Sequence, residues 1–142
     1  MRKRPTGRLP GPRAGASAVE LALVLPLLAA FFLFTVDFAR LYYHYTIVTN
    51  CARAGALYAA DPTAAAESPY ADYQAAALAD ASDLPTAPSV TSTSGVDTDG
   101  HAYVEVTVSY PFATISGYPG LPNPVNVTRT VRARVAPAMP SQ

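Results

Sequence analysis

The most marked pattern along the chain is an apolar run over residues 16–36 that contains a single charge, Glu20. A helix rises by about 1.5 Å per residue, so a run of this length covers the roughly 30 Å hydrocarbon core of a bilayer. Pro26 lies inside the run, where its ring removes a backbone donor and predicts a kink or a local loss of helix. The pattern therefore predicts one transmembrane helix.

A helical pattern continues beyond the apolar run. One stripe of residues recurs at alternating spacings of four and three, which places its members on one helix face. The stripe consists of Leu41, Tyr45, Val48, Ala52, Gly55 and Ala59. Its small members allow another backbone or sheet to come close, either from a neighbouring molecule or from the chain's own domain. Asp61-Pro62 predicts the end of this helix near Ala60.

Period-two alternation predicts antiparallel strands in the second half of the chain. The clearest strand covers residues 102–110, a second covers 125–135 and a weaker one covers 89–96. Residues 97–100, Asp-Thr-Asp-Gly, predict a hairpin turn. Arg129 interrupts the apolar row of its strand, so we expect it to lie at a strand end, to reach past the core edge or to pair with an acid.

Together these elements predict an α+β fold in which a long helix packs against about three strands. A weak apolar stripe predicts a second short helix within residues 70–83. The predicted organisation is a basic cytoplasmic leader over residues 1–15, a transmembrane helix over 16–36, an outer continuation of that helix over 37–61, and a small outer domain over 62–142 with a flexible C-terminal tail.

The distribution of charge predicts the orientation in the membrane. Five of the ten basic residues precede the apolar run, which favours a cytoplasmic N-terminus and an extracytoplasmic C-terminal domain. From residue 16 onward five Arg face ten acids, and this negative balance argues against nucleic acid as a partner. Aromatic residues after the run suit the headgroup layer or a partner helix. They are Phe38, Tyr42, Tyr43 and Tyr45.

The apolar run also has a second interpretation, a cleaved secretory signal. Such a signal has an apolar core of about 7–15 residues and a small-x-small cleavage site. Here the dense apolar block ends in Asp37-Phe38-Ala39-Arg40. A permanent anchor is the better interpretation.

The sequence shows no arrangement typical of catalysis or metal binding. His44 and His101 have no second ligand at metal spacing, and we expect both at the surface or at an interface. Residues 97–100 begin like a calcium loop, but its twelfth position holds Val108 instead of Glu. Cys51 is expected to be a small buried residue, with an intermolecular disulfide as the alternative. We therefore expect that the protein is not an enzyme and that it binds no cofactor, metal or small-molecule substrate.

Three blocks of sequence carry a resemblance to a known family. They are residues 14–26 (AGASAVELALVLP), 36–41 (VDFARL) and 49–56 (TNCARAGA). In this order and at this spacing they resemble the TadE-like family of tight-adherence (Flp) pilus pseudopilins. Within the blocks the expected family-motif residues are Asp37, Phe38, Arg40, Asn50 and Arg53.

The resemblance implies a pilin-like fold and processing by a prepilin peptidase between Gly15 and Ala16. Cleavage would leave an α-amino group on Ala16 with a reference pKa of about 7.7–8. A charge in an apolar membrane run is costly, so we expect Glu20 to attract the Ala16 ammonium of a neighbouring subunit. A carboxylate that snorkels to the interface is the alternative.

The expected partners follow from the same resemblance. They are the membrane bilayer, the prepilin peptidase and other pilin or Tad-system subunits. The expected location is a single pass through the inner (cytoplasmic) membrane, with incorporation into a surface pilus. The competing interpretation is an uncleaved, membrane-anchored extracytoplasmic interaction module unrelated to pili.

Overall fold

A computed structural model describes residues 14–137 of the chain. The leader up to residue 13 and the end of the predicted C-terminal tail, 138–142, lie outside the described residues. The elements in chain order are α1 (Ala14–Ala60), α2 (Pro62–Glu67), α3 (Tyr73–Leu78), a 3-10 turn (Ala79–Ala81), β1 (Ser89–Val96), β2 (Ala102–Phe112) and β3 (Val125–Arg134). A long apolar helix followed by antiparallel strands and short helices confirms the predicted α+β class.

The chain divides into two compact units between Val36 and Asp37. This is the position at which the apolar run was predicted to end. In the first unit the large apolar side chains of α1 are exposed to solvent, as lipid contact requires. Within the described range of 14–137, one helix is long and apolar enough to cross a membrane.

α1 passes through Pro26 without an interruption. The expected local loss of helix therefore does not occur, because the hydrogen bonds of the flanking turns hold the helix across one missing donor. The kink stays a prediction.

In the second unit the three strands form one antiparallel sheet in the order β1-β2-β3. Val106 pairs with Val131 across β2 and β3, and Val108 pairs with Val90 across β2 and β1. One face of the sheet forms a core with the second half of α1. The buried apolar residues of this core are Ile47, Val48, Cys51, Ala52, Ala56, Ala81, Leu84, Val106, Val108, Tyr110, Phe112 and Val127.

The short helices begin at capping residues. Asp72 caps α3 by accepting the backbone N–H of Ala75 at 2.7 Å, so the predicted second helix is present but shorter than residues 70–83. α2 was not predicted, because Asp61-Pro62 was interpreted only as the end of α1. The same pair also starts a helix, with Asp61 as N-cap and Pro62 in the first turn.

Candidate assembly site

Gly15, Ala16 and Glu20 lie in the first two turns of α1, and all three are exposed. Among the residues that the structure describes, none lies within 4 Å of a Cβ placed on Gly15. The bond between Gly15 and Ala16 falls in the first turn, where backbone N–H groups lack intrahelical partners. Ala16 and Glu20 are four residues apart and therefore share a helix face. This segment offers a peptide bond between two exposed residues and an exposed carboxylate.

Asp37 opens the second unit, and its side chain is 4% exposed. Its two carboxylate oxygens accept the backbone N–H of Ile115 at 3.0 and 3.1 Å. Arg40, one turn further along α1, donates from Nη1 to Oδ1 of Asp37 at 3.0 Å. The acid therefore attaches the loop after β2 to the helix.

The environment of Asp37 favours its ionised form. The Ile115 N–H is the largest influence and holds the pKa of the carboxyl below its usual value of 3.8, while burial acts in the opposite direction. Hydrogen bonds from the Ser116 backbone and from the side chains of Arg40 and Tyr118 lower the pKa further. The resemblance predicted Asp37 as a family-motif residue, and in the structure its carboxylate links the loop after β2 to α1.

His44 lies on the same side of α1 and is only 8% exposed. Its ring meets those of Tyr110 and Phe112 edge-on, with centroids 5.2 and 5.4 Å away. Burial lowers the pKa of His44, and the positive charge of Arg40 acts in the same direction. The expectation of a surface or interface histidine is thus wrong for His44, because position 44 faces the aromatic end of the sheet. His101 is exposed as expected.

The helix stripe that was expected to pack on a neighbour or on its own domain lies mostly against its own domain. Val48 and Ala52 are fully buried, Gly55 is buried, and Leu41 packs against the core from its edge. A Cβ on Gly55 would lie 3.0 Å from the Cβ of Ala77, which shows how closely α3 approaches α1. The other two members, Tyr45 and Ala59, lie at the margins, exposed and partly buried respectively.

Arg129 lies in the middle of β3, opposite Val108, and is exposed. Its guanidinium stacks over the ring of Tyr45 at 4.7 Å from the centroid. Of the three expectations, reaching past the core edge describes it, with an aromatic ring instead of an acid as its contact.

The remaining motif residues are not gathered around Asp37. Phe38, Asn50 and Arg53 are exposed on α1. Phe38 lines a shallow apolar groove with Leu41, Tyr42 and Tyr45. The motif therefore divides into an ion pair, buried Asp37 with partly exposed Arg40, and exposed positions.

Cys51 is fully buried in the core of the second unit, as the sequence predicted. Burial raises the pKa of its thiol, and the nearby charge of Asp80 raises it further. A disulfide to another molecule would require this core to open.

The predicted hairpin between β1 and β2 is present, and the side chain of Asp97 stabilises its turn. Asp97 Oδ1 accepts the backbone N–H of Asp99 at 3.0 Å and of His101 at 2.8 Å, and Gly100 adopts a φ of 81°. The pKa of Asp97 lies below its usual value, chiefly because of the hydrogen bond from the His101 N–H. The Asp99 N–H and the positive charge of Arg134 lower it further. Asp97, Asp99 and His101 offer ligand atoms within 4.8 Å of one another, but the Asp97 carboxylate is engaged by the turn and by Arg134 at 3.1 Å.

Residues 15–57 match the family model described as TadE-like protein. The match confirms the resemblance over that segment, which is less than half of the chain, and implies a role associated with the Tad pilus. The segment contains the Gly15–Ala16 bond, Glu20, the apolar helix and the Asp37–Arg40 pair. Comparisons with curated proteins and with solved structures gave no match.

Proposed function

We propose, from the family match of residues 15–57, that the protein is a minor pseudopilin of a tight-adherence (Flp-type) pilus system. A prepilin peptidase matures it between Gly15 and Ala16, and residues 16–36 hold it in the inner membrane with the N-terminus in the cytoplasm. The mature helix then packs among other pilin or Tad-system subunits. The match itself is the observation that carries the proposal.

The exposure of the junction supports the cleavage step. Gly15 has no side chain, and no residue within 14–137 lies within 4 Å of its Cβ position, so neither this residue nor the described part of the chain obstructs a peptidase at the bond. The first turn of a helix frays readily because its N–H groups have no partners within the helix. Cleavage at this bond removes the basic leader and leaves the apolar helix intact.

The position of Glu20 supports the assembly step. The new ammonium on Ala16 lies at the positive end of the helix dipole, which disfavours a second positive charge there. A carboxylate from a neighbouring subunit neutralises the ammonium and is itself neutralised in a low-dielectric setting. One contact of this kind also sets the axial stagger between adjacent helices.

Ala16 and Glu20 of one chain share a helix face, so the ammonium also has a carboxylate within its own molecule. The two arrangements predict different behaviour when variant and native subunits are mixed, because only pairing between subunits lets a native neighbour supply the missing carboxylate.

The outer domain offers a polar surface to other components of the system. On the sheet face away from the core, Thr107 and Thr130 hydroxyls lie 2.7 Å apart and Ser109 and Thr128 hydroxyls 2.9 Å apart. Such a hydroxyl ladder, with the acidic balance of the chain after residue 16, suits a polar docking contact better than an apolar one.

The intact mass and N-terminal sequence of the protein purified from its native host test this function. We expect a mature chain that begins at Ala16. Gly15→Val should block processing by adding a branched side chain at the scissile bond, whereas Gly7→Val, the same change within the leader, should leave it unaffected. An intact leader in the native protein would contradict the proposal and support the uncleaved interaction module.

A further inference from the structure

We infer that the loop between β2 and β3, residues 113–124, is a second lipid-contacting element that lies in the headgroup layer. Ile115 and Leu121 supply its apolar contacts. The inference rests on the membrane span in the proposed function, and its test separates the two.

The attachment of the loop determines its position. Asp37 directly follows the apolar run, and its carboxylate holds the Ile115 N–H at 3.0 Å. The loop is thereby fixed to the residue at which the chain leaves the predicted span. This follows within the second unit alone, because Asp37 and the loop both belong to it.

The side chains of the loop suit a bilayer surface. Ile115 is 59% exposed and Leu121 is 60% exposed, so both large aliphatic side chains are available to an apolar environment. None of the twelve residues 113–124 is charged. Their entry into the interface therefore requires the desolvation of no charge.

The loop satisfies several of its backbone donors internally, as a low-polarity environment demands. Thr114 N–H donates to Oδ1 of Asn123 at 3.2 Å, and Gly117 N–H donates to Oγ1 of Thr114 at 3.2 Å. Leu121 N–H donates to the Tyr118 carbonyl at 3.2 Å. The loop therefore presents apolar side chains on a backbone in which several N–H groups already have partners.

Aromatic residues on α1 follow closely after the end of the apolar run. Phe38 is exposed and follows the end of the run by about 3 Å along the helix axis, a distance within the headgroup layer, while Tyr42, also exposed, follows at about 9 Å, just beyond that layer. The headgroup layer adds roughly 5–7 Å on each side of the hydrocarbon core, and aromatic side chains concentrate there. Lipid is therefore the occupant that is continuous with the span, while a second copy of the chain is an alternative that the experiment detects.

The absence of tryptophan from the sequence allows single-tryptophan reporters. Full-length Ile115→Trp is reconstituted in phosphatidylcholine vesicles that carry a quencher near the headgroup. Val96→Trp is the matched control, since Val96 is 67% exposed and pairs with Ala102 at the far end of β2 from Phe112. That separation is about 33 Å along the strand. Phe32→Trp reports on the span itself.

We expect the emission of the tryptophan at position 115 to shift to the blue and to be quenched by the lipid probe, with no shift or quenching at position 96. If the tryptophan at position 32 is quenched by a probe deep in the bilayer but the tryptophan at position 115 is not quenched by the headgroup probe, the membrane span is supported and the loop contact is wrong. If position 32 is not quenched, the span and the loop contact both fail. A blue shift at position 115 that grows with protein density without lipid quenching identifies a second copy and overturns the inference. Leu121→Trp repeats the test independently.

Discussion

Asp37 and Ile115 lie 78 residues apart in the sequence and are joined by two hydrogen bonds from one backbone N–H to both carboxylate oxygens. This contact joins the start of the second unit's helix to the loop that follows β2. The contact explains why an acid and a base stand three residues apart in the block Val36-Asp37-Phe38-Ala39-Arg40. Arg40 donates to the same carboxylate from one helical turn away.

Asp37→Asn should destabilise the second unit. An amide matches the carboxylate in shape but supplies a single acceptor oxygen without charge, so the Ile115 N–H loses its bidentate partner and Arg40 loses its counter-ion. We expect a lower melting temperature for the full-length protein in detergent. Asp99→Asn, the same change at an exposed position in the hairpin, should leave the melting temperature nearly unchanged.

The effect of Asp37→Asn should depend on pH with a definite sign. The folded-state pKa of Asp37 lies below 3.8, so the unfolded chain binds the proton first as the pH falls. The stabilisation by the carboxylate is complete above the unfolded pKa and is lost as the pH falls through the folded one. The gap in melting temperature between native protein and variant should narrow below about pH 4. A gap that stays constant from neutral pH to pH 2 would show that the charge of Asp37 contributes nothing.

Gly55→Val should destabilise the core of the second unit by about 1–3 kcal/mol, the usual cost of overpacking. Even a Cβ on Gly55 would lie 3.2 Å from the Tyr73 carbonyl oxygen and from Cγ1 of Val106, so neither neighbour leaves room for a branched side chain. Arg53→Val puts the same side chain on the exposed face of α1 and should change the free energy of unfolding by less than about 0.5 kcal/mol. Chemical unfolding of both variants gives the comparison, and equal losses would contradict the packing of Gly55.

The Cys51 thiol should be inert in the folded protein. Burial prevents reagents from reaching the sulfur, and the raised pKa lowers the fraction of reactive thiolate. Labelling of the folded protein requires local opening, so maleimide should react with Cys51 about a hundredfold more slowly before unfolding than after it. Asn50→Cys in a Cys51→Ala background places a thiol at the adjacent exposed position and should react at once. A dimer in non-reducing electrophoresis of the native protein would contradict this expectation.

Local periodicity predicted the strands and the extent of α1, because each depends on side chains that alternate along a few residues. The stripe predicted to be buried on α1 is rotated slightly about the helix axis from the face that is buried in the structure. Its true members include Asp37 and His44, eleven and four positions before Val48, so they share the face of Val48 by helical spacing. A stripe chosen by hydrophobicity alone passes over both of them.

The contact between Asp37 and Ile115 could not be predicted from the sequence. Nothing in the alternation of β2 indicates where the chain goes after Phe112, and the donor is a backbone N–H, which every residue except proline carries. The Tyr45–Arg129 stack is similar, since it depends on the position of β3 relative to α1. Arg129 showed only that the apolar row was interrupted.

Glu20→Gln should leave maturation intact and reduce incorporation into pili. The amide keeps the size of the side chain but cannot neutralise the Ala16 ammonium, and a hydrogen bond to a charged group contributes about 1.5–3 kcal/mol. We therefore expect roughly a tenfold or greater fall in the variant's share of sheared pili, measured by mass spectrometry beside the membrane pool. Glu67→Gln, the same change at the exposed end of α2, should be incorporated normally.

Mixing subunits then identifies the partner of Glu20. If the carboxylate pairs with a neighbour's amine, Glu20→Gln subunits co-expressed with native ones should enter pili more efficiently than alone, because native neighbours still offer them a carboxylate. If it pairs within its own chain, native subunits should give no rescue. Normal incorporation of the variant expressed alone would show that Glu20 is a snorkelling carboxylate without a role in assembly, since the loss of its charge would then cost the pilus nothing.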